Sequence, residues 1–85
     1  MTGPLLRPCC FFLTIFNPPA VTAGLLAFFD KRDFTVESLH MQLIDKGKAI
    51  LQIQTSLPKD KIRYISSLIL KIECVDNLQV LEGRE

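Results

Sequence analysis

An excess of charge of one sign is the first thing missing from this sequence. Ten lysines and arginines face nine aspartates and glutamates over 85 residues, a formal net charge of +1. Nucleic-acid binding draws on a basic stripe that neutralises phosphates, and the sequence supplies none. Long apolar runs are missing as well. The longest, Cys9 to Phe16, falls well short of the ~20 residues that a membrane-spanning helix requires. Cysteine is scarce: Cys9, Cys10 and Cys74 form an odd set with an adjacent pair, which is no disulfide framework. With a single histidine, His40, there is no four-ligand zinc set. The three thiols read as small packed hydrophobes in a cytoplasmic protein. No glycine-rich loop is available to cradle a phosphate. His40 has no Asp–Ser or Cys constellation to work with, so no catalytic and no metal-binding residue is assigned.

What is present is apolar bulk. Hydrophobic residues make up 48% of the chain, too much for a disordered segment and enough for one small domain. A domain of this size has little interior, so part of that surface is expected to be covered by another chain. Residues 1–9, with Gly3, Pro4 and Pro8, read as a loose leader, and residues 10–83 as the folded domain. Cys10 to Phe16 is β-branched and aromatic on both faces, the mark of a central strand. Pro18 and Pro19 then open a helix in which Val21, Leu25, Phe28 and Phe29 keep helical spacing. Thr35 to Ile44 alternates, with Leu39, Met41 and Leu43 on one side and Ser38, His40 and Gln42 on the other. Asp45-Lys46-Gly47-Lys48 is a hairpin turn, and Ala49 to Thr55 returns with the same alternation. Pro58 and Asp60 suit a helix start, and Ile62, Ile65, Ile69 and Ile72 make its apolar stripe. A turn at Asp76-Asn77 precedes a last short strand, Leu78 to Glu82.

The stretch Phe16 to Gly24, FNPPAVTAG, can also be read as a small-residue cleavage site behind a short apolar run. Cleavage there would remove the central strand and half the first helix, leaving apolar faces with nothing to cover them. The strand–turn–helix reading is therefore preferred. The element order is β-α-β-β-α-β, and with right-handed crossovers it favours a ferredoxin-like α+β sandwich. Such a sandwich has four antiparallel strands, the first and third central, with both helices on one face. Its other face is left for solvent or a partner.

One segment is more specific than topology. Asn17 to Leu39 resembles the N-terminal half of an ACT domain, in particular that of the small regulatory subunits of acetohydroxyacid (acetolactate) synthase. Those carry Asn-x-Pro-Gly-Val-Leu-x-Arg-Ile-x-Gly-Leu-Phe-x-Arg-Arg-Gly-Phe-Asn-Ile-x-Ser-Leu after a hydrophobic strand. Here Asn17, Pro19, Val21, Leu25, Phe29, Lys31, Arg32, Phe34, Val36, Ser38 and Leu39 keep that register without a gap. Beyond Met41 the likeness fades. The length matches the shortest kind of small subunit, a single ACT domain.

The resemblance implies a non-catalytic, activating subunit that pairs with a copy of itself and docks on the catalytic large subunit. Thiamine diphosphate and magnesium would belong to that partner, with no cofactor in this chain. The implied effector is a branched-chain amino acid, typically valine, held near Asn17, Pro19, Ala20, Val21, Thr22 and Thr35. A helix N-terminus suits its carboxylate because unpaired N–H groups and the positive dipole end converge there. Pro18 and Pro19 have no N–H, so Ala20, Val21 and Thr22 offer the first donors. Lys31 and Arg32 are the candidate docking residues. Three departures from the family pattern matter: Ala20 and Asp33 replace glycines, and Thr35 replaces an asparagine. Ala20 and Thr35 fall at the effector site, so valine feedback is expected to be weak or absent. The alternative is a free-standing ACT-like module that binds an amino acid.

Overall fold

The computed structural model describes residues 6–16 and 18–83. Six elements follow in the order β1 (Leu6–Phe16), α1 (Pro18–Lys31), β2 (Val36–Asp45), β3 (Lys48–Pro58), α2 (Lys59–Leu70) and β4 (Val75–Glu82). The strands form one antiparallel sheet in the order β2-β3-β1-β4. This is the expected ferredoxin-like arrangement, with β1 and β3 central.

Alternation along the strands sorts the side chains into two faces. On the helix side, β1 contributes Cys9, Phe11, Leu13 and Ile15, and β3 contributes Ala49, Leu51, Ile53, Thr55 and Leu57; all are buried. Val21, Leu25 and Phe29 of α1 and Ile62, Ile65 and Ile69 of α2 close over them. Their spacing by three and four brings each set onto one helical stripe. Phe29 stands at the centre, its ring 6.1 Å from that of Phe11 and edge-on to Phe28 at 5.4 Å. The Thr22 hydroxyl lies 3.8 Å from the Met41 sulfur, so α1 runs beside β2, while α2 packs mainly on β4.

On the other face three rows cross the sheet: Ser38–Gln54–Cys10–Leu81, His40–Gln52–Phe12–Gln79 and Gln42–Ile50–Thr14–Asn77. No Asp, Glu, Lys or Arg occurs in them.

Several boundaries differ from expectation. β1 begins at Leu6, not Cys10, and residues 1–5 of the expected leader lie outside the described residues. Pro8 inside a central strand is possible because its backbone faces the β4 side, where the strand partner has ended. Its carbonyl accepts the Gly83 N–H there at 2.7 Å, and no donor is needed from its nitrogen. The longer β1 carries β3 on to Pro58 through the pairing of Leu6 with Pro58. β4 begins at Val75, so Asp76 and Asn77 lie in the strand rather than in a turn. A register shift between Thr14 and Ile15 accommodates them, and both are exposed on an edge. At the β2–β3 hairpin Gly47 takes the positive φ of 69°, as its place in the turn demands.

Candidate functional site

The expected effector residues occupy opposite ends of α1. Pro18 is buried and anchors the helix start, whereas Pro19 and Ala20 are exposed, Thr22 is half-buried and Val21 is buried. Asn17 lies outside the described residues. The first turn of α1 holds no acidic side chain, so nothing in it neutralises the positive helix end.

Ala20 and Val21 belong to a groove of about 340 Å³, whose α1 wall also includes Gly24, Leu25 and Phe28. The facing wall is Ile72, Glu73 and Cys74, the connection from α2 to β4. That connection is tied to the end of β1, because the Phe16 N–H donates to the Cys74 carbonyl at 2.9 Å. Gly24 keeps the groove open: a methyl group built on it would meet nothing within 4 Å. The lining residues are aliphatic or aromatic except for Glu73 and Cys74. Such a slot suits a short branched aliphatic side chain, with a helix N-terminus at one end.

Thr35 sits beyond the other end of the helix. A helix of 14 residues is about 20 Å long, so within one chain Thr35 and the Pro19–Thr22 turn cannot share a ligand. Thr35 instead lines hollows of about 400 Å³, with Leu26, Phe29 and Val36, and of about 570 Å³, with Arg32, Glu37 and Ser56. Its carbonyl accepts a hydrogen bond from the buried Thr55 hydroxyl, which fixes the entry to β2.

Of the two docking candidates, Lys31 is exposed. Arg32 folds back on its own helix: its guanidinium lies 4.0 Å above the Phe28 ring, and one nitrogen donates to the Phe28 carbonyl at 3.1 Å. It thereby satisfies a carbonyl of the last turn and complements the negative helix end. His40 lies exposed on the open sheet face. Among the described residues no three of His, Cys, Asp and Glu converge as metal ligands, and no helix is long and apolar enough to cross a membrane.

Sequence reasoning had no place for Ile72, Glu73 and Cys74 in the site. The signal that would have found them is topological. β1 and β4 are antiparallel neighbours, so the residues entering β4 must lie beside those leaving β1.

No family model matches the sequence, and no curated protein matches it significantly. Solved structures do. The C-terminal domain of the MgtC protein from Mycobacterium tuberculosis matches with a TM-score of 0.74 at 11% identity, over 98% of this chain and 94% of that one. The ACT domain from GTP pyrophosphokinase of Chlorobium tepidum matches in its crystal structure with a TM-score of 0.75 at 13% identity, over 91% of this chain and 100% of that one. The solution structure of the same domain gives 0.71 at 14% identity, over 92% and 89%. At such identities the likeness is one of fold, and in fold this chain is similar throughout to an ACT domain, a ferredoxin-like βαββαβ sandwich.

Proposed function

We propose that this chain is a non-catalytic regulatory module that works as a pair, and more finely the activating small subunit of acetohydroxyacid (acetolactate) synthase. The observation that carries the reading is the backbone at Asp33. The resemblance sets a glycine at that position, and Asp33 is the one non-glycine residue described with a positive φ, 61°. The helix exit therefore supports the register of the resemblance. The catalytic partner would hold thiamine diphosphate and magnesium. The small chain would raise its rate by binding the competent state more tightly than the idle one.

Pairing is supported by the side of the molecule where β2 and α1 lie. β2 is an edge strand, and its helix-side residues Met41 and Leu43 are 41% and 67% exposed. From Pro18 to Phe29 the helix carries no charge, and Leu26 is exposed on its outer side. An unpaired apolar edge beside an uncharged helix face is a natural template for a second copy. With two α1 helices antiparallel across that edge, Thr35 of one copy would meet the Pro19–Thr22 turn of the other. A branched-chain amino acid would then sit between that turn and Thr35 of the other copy, its carboxylate on the Ala20 N–H, the first donor of a helix that opens with Pro18 and Pro19. The Ala20 methyl crowds that approach, so the valine response is expected to be weak.

The direct test is recovery of the chain from its own cells, with bound protein identified by mass and assayed for acetolactate. A thiamine-diphosphate enzyme whose rate rises with added chain supports the subunit reading. Recovery of the chain alone, as a folded dimer that binds an amino acid, favours the second reading, a free-standing ACT-like module. The groove beside Ala20 and Val21 gives that reading its footing. Valine titrated calorimetrically into Ala20→Gly/Thr35→Asn should bind more tightly than to the wild type. Equal binding would mean that these residues do not form a degenerate effector site.

A further inference from the structure

The sheet face away from the helices is mostly polar, yet its centre is free of charge. Its central residue is Phe12, half-buried by its neighbours, with Gln52 and Gln79 on either side. Leu81, Phe16 and Ile50 are exposed around them, at 60%, 43% and 39%. The three cross-strand rows contain no Asp, Glu, Lys or Arg, although nineteen such residues occur in the chain (ten basic and nine acidic). The charges nearest to the face lie at its ends: Glu37, bonded to Ser56 at 2.9 Å, and, across from Phe16, Lys48, 5.5 Å above the Phe16 ring, with its strand partner Asp45. Depletion of charge at the centre, with an aromatic anchor and charges at the rim, is what separates interface cores from ordinary surface.

We propose that this face stacks on the same face of a second copy, sheet against sheet, at a site separate from the β2 edge. The occupant is indicated by self-complementarity. A face carrying charge of one sign repels its own copy, and this one carries none in its rows. Each primary amide offers both donors and an acceptor, so a glutamine such as Gln52 can pair with its own copy across a two-fold axis. Strands ~4.8 Å apart, rising ~3.3 Å per residue, make three rows on four strands roughly 400 Å² of flat sheet. Side-chain relief and Phe16 bring this to about 500 Å² per copy, and the pair to about 1,000 Å², the lower bound for a specific interface. Weak, concentration-dependent association is the expected consequence. Together with β2-edge pairing it builds a dimer of dimers.

Gln52 lies beside the centre of the face, so either in-plane two-fold axis brings its two copies within about the ~10 Å sheet spacing. The test is sedimentation velocity across a concentration range on the wild type, Gln52→Glu, Gln52→Lys and an equal mixture of the two variants. Thermal melts show whether each variant keeps its fold. Each charged variant alone should associate about tenfold more weakly than the wild type through like-charge repulsion, and the mixture should recover wild-type association. The proposal is overturned if Gln52→Glu leaves association unchanged, or if the mixture fails to recover it. It is equally overturned if Gln52→Glu abolishes capture of a different protein while self-association stays intact. Leu43→Lys separates this interface from the edge: it should remove β2 pairing and leave the Gln52 dependence in place. Neither result depends on which enzyme, if any, the chain regulates.

Discussion

At the scale of single residues, the helix exit at Asp33 is the clearest departure from ease. The Phe34 N–H donates to the Phe29 carbonyl and the Asp33 N–H to the Asp30 carbonyl, both at 3.0 Å, the bonding pattern of a Schellman motif. Its C′ residue must be left-handed, and Asp33 tolerates φ of 61° at a cost that glycine would not incur. Asp33→Gly should therefore stabilise the chain by about 0.5–1 kcal/mol, read as a raised midpoint in urea. A second residue-scale effect belongs to Cys9, buried at 4% exposure. Burial first, and then the Glu82 carboxylate, push its thiol from the ordinary 9.0 up to about 11. The folded state thus holds this proton more tightly than the unfolded chain. The stability involved is intact below pH 9 and is lost as pH rises towards 11. Melting temperatures of the wild type should fall more steeply across that window than those of Cys9→Ala, and parallel slopes would disprove the link. At neutral pH Cys9 should resist alkylation until the protein unfolds.

At the scale of elements, α1 combines two demands that pull apart. Gly24 in a helix interior costs about 1 kcal/mol against alanine, and nothing crowds the position. Gly24→Ala should raise the melting temperature of the chain while filling the groove it lines with Ala20 and Phe28. Loss of amino-acid binding alongside a gain in stability would mark the glycine as functional. Unchanged binding would leave the groove without a ligand role. Most elements were legible from their periodicities: Ile62, Ile65 and Ile69 are buried, as are Val21, Leu25 and Phe29, whereas Phe28 is half-buried and Ile72, expected in the α2 stripe, lies past the helix end at Leu70. The misplaced boundaries share one cause. Pro8, Asp76 and Asn77 disfavour strand by local preference, yet pairing with β3 and with β1 outweighs it. The groove was legible on its α1 wall only, since Ile72 to Cys74 reach it through the order of strands rather than through any local pattern. The distance between Ala20 and Thr35 was legible, since one opens the helix and the other follows its exit, but a family motif carries no information on which copy supplies each residue.

At the scale of the whole molecule, the core is a single layer of side chains between a sheet and two helices, and part of the apolar surface stays outside. If that surface is covered by further copies, stability depends on protein concentration. The melting temperature of the wild type should rise when the chain is concentrated a hundredfold, and that of a Leu43→Lys/Gln52→Glu variant should not. A concentration-independent melt in both would mean that neither surface is used. The central place of β1 also has a consequence in time. It is made before either of its neighbours, so Phe11 must wait for Ile53 and then Val80 before both of its edges are paired. At ~5–20 residues per second the second wait lasts roughly 3–14 s during synthesis. Through that interval the greasiest strand of the chain lacks at least one of its two neighbours. A nascent protein of this design is most exposed to aggregation, and most in need of a chaperone's shelter, at β1.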